Sequence, residues 1–266
     1  MHELCNVEAP GTAEPVAKSG LSAEELMQAE IAGLKSEISA LGRMVETAIS
    51  RSITAMIQQD TFLAQTVIHD DERIDRAEVE LEEHCLRILE HLHPTGADLR
   101  FVVAVLKIND ALERMGDLAE NVAKVVLHVA DWDRFLRVAG CRELATRALE
   151  SVTRSLRSLV DGDVRLAKQV IDEDGDVDRL QAVIRKRIER EIDVCPENTA
   201  PLMQLERVTR QLERVGDLAT NVAEDVVYLI EGRIVRHPRR SVHKMRVSHS
   251  TNRPRRVSNL PAASTS

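Results

Sequence analysis

The sequence has few aromatic residues, no long apolar run and no paired cysteine motif, and each absence excludes a class of protein. Aromatic side chains make up 2% of the 266 residues. The apolar content is therefore mostly aliphatic, which suits interdigitating helices better than strands rich in aromatic side chains. No stretch approaches the roughly 18 to 20 apolar residues of a membrane span, and the N-terminus lacks a signal-peptide pattern. We therefore predict a helical, cytoplasmic protein.

The absence of recognisable catalytic motifs argues against an enzyme. There is no G-x-x-x-x-G-K-[ST] phosphate loop and no evident Ser/His/Asp arrangement. The cysteines have no Cys-x-x-Cys spacing, so neither a zinc knuckle nor a disulfide framework is predicted. These cysteines are Cys5, Cys85, Cys141 and Cys195.

Charge is divided unevenly along the chain. The formal net charge is −8, but seven basic and no acidic residues follow position 236, so residues 1–236 carry −15. An acidic body argues against a nucleic-acid-binding core, because phosphates are bound by clustered Lys and Arg. It suits a surface that binds metal or protein partners.

Apolar residues recur at helical spacing through most of the chain. Ser22 and Glu25 form a capping box, and apolar residues then recur every three or four positions, which predicts a long helix. Further helices are predicted over about 60–92, 95–132, 135–160, 163–194 and 200–231. The fold class predicted is all-α.

The chain contains an internal duplication. LERMGDLAENVA at 112–123 and LERVGDLATNVA at 212–223 are identical at ten of twelve positions. Repetition of this length indicates two copies of one structural unit. We predict two tandem three-helix bundles, flanked by disordered ends. The predicted divisions are a leader over 1–21, repeats over 22–133 and 134–236, and a basic tail over 237–266.

The repeated motif places polar side chains on one helix face. The residues are Glu113, Asp117 and Asn121 in the first copy and Glu213, Asp217 and Asn221 in the second. Like charges four apart in a helix repel one another, so a cation is expected to offset the repulsion. Carboxylate and amide oxygens are ligands for hard cations. The duplicated motif therefore predicts two metal sites.

Glycine in the middle of each motif helix supports this prediction. Gly116 and Gly216 each cost about 1 kcal/mol of helix propensity relative to Ala, so we expect a neighbouring helix to approach closely there. Further acidic residues could add ligands, although charged runs also form ordinary solvated faces. They are Asp71, Asp75, Glu80, Asp110 and Asp178. The alternative is that the motifs form salt bridges at bundle edges and that the glycines only permit tight packing.

The motif Glu-Arg-(Met/Val)-Gly-Asp-Leu-Ala-(Glu/Thr)-Asn-Val-Ala, present twice, resembles the paired signature of the PhoU family over most of residues 22–236. The resemblance implies a six-helix homodimer whose signature carboxylates hold iron, zinc or another divalent or trivalent metal cluster. It also implies contacts with a phosphate-transporter ATPase subunit and a phosphate-sensing histidine kinase, and membrane association only through these partners. The implied function is repression of phosphate uptake and of the phosphate-starvation response when phosphate is plentiful.

Two other functions fit parts of the sequence. A ferritin-like di-metal oxidase needs Glu-x-x-His pairs inside a bundle, but the single example here, Glu90 and His93, lies at a helix end before Pro94. A structural or co-chaperone helical module fits the periodicity but leaves the acidic motifs unexplained. The histidines are predicted to lie on the surface or at helix ends: His84, His91, His93 and His128.

Overall fold

Six long helices form the part of the chain that the computed structural model describes, which is residues 22–129, 136 and 140–235. No strand occurs within those residues, and the predicted all-α fold is confirmed. None of the described helices is apolar over enough of its length to cross a membrane. The helices are α1 Ala23–Gln58, α2 Thr61–Leu92, α3 Gly96–Val126, α4 Cys141–Asp161, α5 Val164–Val194 and α6 Thr199–Glu231, with a 3-10 turn at Pro196–Asn198 before α6.

Side-chain caps fix several of the helix starts. The Ser22 hydroxyl accepts from the Glu25 N–H at 3.2 Å, and the Glu25 carboxylate accepts from the Ser22 N–H at 2.7 Å, which confirms the predicted capping box. Asp60 caps α2, and its counterpart Asp163 caps α5 in the same way. Thr95 is the N-cap residue of α3, but its side chain makes no capping hydrogen bond.

Two predicted helix boundaries differ from the structure. The predicted helix over 135–160 is interrupted at Gly140, which has a φ of 73°, and α4 starts at Cys141. That left-handed conformation interrupts a right-handed helix. Leu136 is helical, and position 135 lies outside the described residues. α3 ends at Val126 rather than near 132, and positions 130–135 lie outside the described residues. The predicted leader, the tail and the boundary between 133 and 134 also lie outside them.

The helices pack as two three-helix bundles that share a long contact. α1, α2 and α3 pack on one another, α4, α5 and α6 do the same, and α3 lies along α6. Lys107 of α3 forms an ion pair with Asp225 of α6, and its ammonium lies 5.6 Å from the ring centroid of Tyr228. Aliphatic side chains fill the core, as the composition predicts.

His84 is buried, contrary to the prediction that it lies on the surface. The residue is 8% exposed, and its ring lies between two carboxylates of α1. Nδ1 is 2.8 Å from Glu37 Oε2, and Nε2 is 2.6 Å from Glu30 Oε2. The other three histidines are exposed or at helix ends, as predicted.

Candidate metal centre

The motif glycines lie where a neighbouring helix comes close to the backbone. A Cβ added at Gly116 would be 3.1 Å from Ile74 Cγ2 and 3.2 Å from Asp71 Oδ1, both on α2. A Cβ at Gly216 would be 3.2 Å from Val177 Cγ1 of α5. The close approach that the mid-helix glycines predict is confirmed in both repeats. It places acidic side chains of α2 beside α3, and acidic side chains of α5 beside α6.

The second motif forms a compact acidic cluster with α5. One carboxylate oxygen from each of Asp178, Glu213 and Asp217 lies within 4.8 Å of the others. Burial raises the pKa of Glu213, and Asp178 raises it further, although Arg214 partly opposes this. Asp174, one turn before Asp178, accepts a hydrogen bond from the Thr220 hydroxyl at 2.9 Å. Three converging carboxylates of this kind are suitable ligands for a hard cation.

The first motif carries more negative charge than the second. Burial raises the pKa of Asp71 to about 6, and the charges of Asp75, Glu120 and Asp117 act in the same direction, while Lys124 opposes them. The charge of Lys124 therefore does not offset the combined effect of burial and of the neighbouring carboxylates on Asp71. The carboxylates of α2 and α3 therefore repel one another in the absence of metal.

Burial and neighbouring acidic residues also raise the pKa values of two carboxyl groups on α3. Burial raises the pKa of Glu113, and the next largest causes are Asp117 and Glu78. The pKa of Asp117 is also raised, first by burial and then by Asp75. Asp75 therefore lies close enough to both motif carboxylates for its charge to raise their pKa values.

Asn121 and Asn221 lie in a groove of about 530 Å³ between α3 and α6. Asp117 and Asp217 line the same groove, so each asparagine is placed beside its own motif carboxylate. The two copies of the motif therefore meet across the contact between the bundles.

Two predicted ligands are less well placed than Asp75. The Asp110 carboxylate raises the pKa of Glu113, but it is mostly exposed and lies 3.7 Å from the Arg114 guanidinium, at the edge of the first cluster. Glu80 is exposed, and its position on α2 is rotated by about 200° from Glu78, which faces Glu113.

Sequence reasoning missed four residues at these clusters. They are Glu78, Glu120, Asp174 and Thr220. Glu78 follows Asp75 by three positions, Glu120 follows Asp117 by three, and Asp174 precedes Asp178 by four. Helical spacing from a motif residue was the signal that could have found them.

Comparisons with known proteins give a consistent result. Residues 38–126 and 141–226 match the PhoU domain family. The chain is 34% identical to the "Phosphate-specific transport system accessory protein PhoU homolog" of Aquifex aeolicus, over 78% of this chain and 94% of that protein. It is 29% identical to the PhoU protein of Escherichia coli, over 79% of this chain and 87% of that protein. The crystal structure of PhoU from Pseudomonas aeruginosa superposes with a TM-score of 0.75 at 30% identity, covering 78% of this chain and 100% of that chain.

Proposed function

The chain belongs to the PhoU family, and on that premise we propose that it is a negative regulator of phosphate uptake and of the phosphate-starvation response. The relatives' names assign them to phosphate-specific transport systems, which supports an accessory role in phosphate transport. Regulation proceeds through protein contacts and not through catalysis. We also propose that the two repeats meet between residues 133 and 134.

Metal binding at the duplicated motif is the chemical part of this proposal. It rests on one observation, the convergence of Asp178, Glu213 and Asp217 within 4.8 Å. The raised pKa of Glu213 indicates a site where a bound cation would relieve repulsion. Iron, zinc or another divalent or trivalent ion would take these oxygens as ligands. The corresponding ligands of the first site are Glu113, Asp117 and Asp75, with Asn121 and Asn221 nearby in the shared groove.

The partners proposed are a phosphate-transporter ATPase subunit and a phosphate-sensing histidine kinase. Contacts with both would let one cytoplasmic homodimer couple transport to signalling. The acidic charge of residues 1–236 supports docking onto basic protein surfaces and disfavours nucleic acid.

The test compares alkaline phosphatase activity of a deletion strain in phosphate-rich medium after complementation with the natural protein or with variants. One variant carries Glu213→Gln and Asp217→Asn, another carries Glu113→Gln and Asp117→Asn. Both should lose bound metal, measured by elemental analysis of the purified protein, and both should fail to restore repression.

A control with Glu80→Gln and Glu83→Gln removes the same charge from exposed positions of α2 and should behave like the natural protein. Equal phosphatase activity in the deletion strain and its parent would refute the regulatory function. Unchanged metal content in both motif variants would refute the ligand assignment. Full repression by a metal-free variant would show that repression does not require bound metal, and would leave the regulatory function standing.

A further inference from the structure

A groove between α1 and α2 is surrounded by arginines although the protein is acidic. Its volume is about 390 Å³, within the range of about 300 to 1,000 Å³ that is common for small-molecule sites. Arg43 and Arg51 of α1 and Arg73 of α2 line it, and Asp70 is the acidic residue among its lining residues. We call it the arginine groove. Its lining has a net charge of +2, whereas the whole chain carries −8.

Asp70 forms a hydrogen bond with one of the three guanidinium groups and a longer ion pair with a second. Its Oδ2 is 3.0 Å from Arg51 Nη1, and its Oδ1 is 3.8 Å from Arg73 Nη1. One carboxylate therefore positions two cations side by side and neutralises only one of them. Arg43 precedes Arg51 by eight residues, about two turns of α1. It has no carboxylate partner among the described residues. The groove thus has positive charge that the protein does not compensate.

The floor of the arginine groove is apolar. It is formed by Ala40, Met44, Ala48, Val67 and Ile74. An inorganic anion would contact the arginines but leave this floor exposed to water. A ligand with an anionic group and an apolar or planar body would contact both parts, because burial of apolar surface contributes about 25 cal/mol per Å².

The second repeat provides an internal comparison, because α4 and α5 align with α1 and α2 at an offset of 103. The alignment superposes the buried Ser52 on the buried Ser155, and the N-cap Asp60 on Asp163. The ion pair of Arg51 with Asp70 is retained there as Arg154 with Glu173.

The charge of the groove is not retained with that ion pair. Thr146 stands at the position of Arg43, and Asp176 stands at the position of Arg73. The ten positions that line the arginine groove correspond to four acidic and two basic residues in the second repeat. The shared ion pair is explained by packing of the repeated unit. The additional arginines of the first repeat are not explained by that packing.

We propose that the arginine groove binds a small molecule that carries a phosphate group on an apolar or planar body. Arginine is suited to phosphate because its planar guanidinium donates two parallel hydrogen bonds to the oxygens. Arg51 is already ordered by its hydrogen bond to Asp70, so less side-chain ordering is needed at this position when the ligand binds. The proposal does not depend on bound metal, because no groove residue is a proposed ligand, although Asp70 and Ile74 adjoin Asp71 and Asp75 of the first acidic site.

Isothermal titration of the full chain with adenosine 5′-monophosphate, inorganic phosphate and adenosine tests the proposal. Adenosine 5′-monophosphate should bind most tightly, inorganic phosphate at least tenfold more weakly, and adenosine more weakly still. The variant Arg43→Thr with Arg73→Asp, which installs the residues of the second repeat, should weaken binding of adenosine 5′-monophosphate by at least tenfold. Arg43→Gln with Arg73→Gln is a second variant that avoids placing a new acid beside Asp70.

The matched control is Arg165→Thr with Arg190→Asp, which makes the same charge change at exposed positions of α5. It should bind like the natural protein. Equal affinity for inorganic phosphate and adenosine 5′-monophosphate would refute the role of the apolar floor. The site would be refuted if adenosine bound as tightly as adenosine 5′-monophosphate, or if none of the three compounds bound. It would also be refuted if the control variant weakened binding as much as the groove variant does. Circular dichroism and thermal unfolding check that each variant is folded.

Discussion

The His84 ring lies between the carboxylates of Glu30 and Glu37, and we call this arrangement the His84 clamp. It predicts a pH-dependent contribution to stability. Burial by itself lowers the pKa of His84, but the hydrogen bonds to Glu37 and Glu30 outweigh it, and the pKa is raised above its usual value. Both ring nitrogens donate when the ring is protonated. A neutral ring has one N–H, so its other nitrogen faces a carboxylate without a proton to share. The clamp is therefore complete only in the imidazolium state.

The substitution His84→Gln measures this contribution. A hydrogen bond to a charged group contributes about 1.5 to 3 kcal/mol. Glu30 and Glu37 are 37% and 46% exposed, so solvent screening favours the lower end of that range for each bond. Glutamine keeps one donor but no charge. We expect the variant to be about 1 to 3 kcal/mol less stable than the natural protein at pH 6.

The pH dependence follows from the sign of the shift. A histidine with a raised folded-state pKa contributes stability that is present below the unfolded pKa of about 6.5 and is lost as pH rises through the folded pKa. Urea unfolding of both proteins from pH 6 to pH 9 should therefore show a stability difference that shrinks with rising pH. The exposed His91, replaced by Gln, is the control and should change stability by less than about 0.5 kcal/mol at every pH. A difference for His84→Gln that is constant from pH 6 to pH 9 would refute the clamp.

Two further substitutions test the packing and charge of the first acidic site. Gly116→Ala gains about 1 kcal/mol of helix propensity but crowds Ile74 at 3.1 Å, so urea unfolding should show no gain or a net loss. Gly175→Ala meets only the end of the Arg179 side chain and should gain up to about 1 kcal/mol, and equal gains at both positions would contradict the close approach. Asp71→Asn should stabilise the metal-free protein by about 1 kcal/mol at pH 7.5, because burial and neighbouring charges raise the pKa of Asp71 to about 6. That gain should fall by pH 5, where the native carboxyl is already mostly protonated, and a pH-independent effect would contradict the assignment.

Local signals in the sequence were sufficient to predict much of the fold. The capping residues Ser22 and Asp60 fix helix starts through contacts three residues away, so they can be read from the sequence. The identity between the two motif copies predicts the duplication, and the mid-helix Gly116 predicts a close helix contact. Each of these features depends on short-range spacing or on repetition.

Features that depend on the register between helices could not be read in this way. His84 contacts residues that are 47 and 54 positions away on α1, and no spacing rule relates them. The start of α4 depends on the backbone conformation of Gly140, while the flanking residues continue a helical apolar pattern. A glycine in a helical sequence indicates either close packing, as at Gly116, or a break, as at Gly140, and only the surrounding structure decides between them.

The duplication also separates what folding requires from what one repeat has acquired. Gly116 and Gly216 both meet an aliphatic side chain of the preceding helix, so the close approach belongs to the repeated unit. The charge around the close approach is not shared by the two repeats, because Glu120 of the first repeat corresponds to Thr220 of the second.

The two metal sites proposed therefore differ in chemistry although their motifs are nearly identical. Six acidic residues and Lys124 act on the first site, whereas four acidic residues at equivalent positions and Arg214 act on the second. The first site should favour more highly charged cations, because the attraction grows with the charge of the ligand set. Variants of the two motifs must accordingly be made and assayed separately, since loss of one site predicts little about the other. The acidic residues at the first site are Asp71, Asp75, Glu78, Glu113, Asp117 and Glu120, and those at the second are Asp174, Asp178, Glu213 and Asp217.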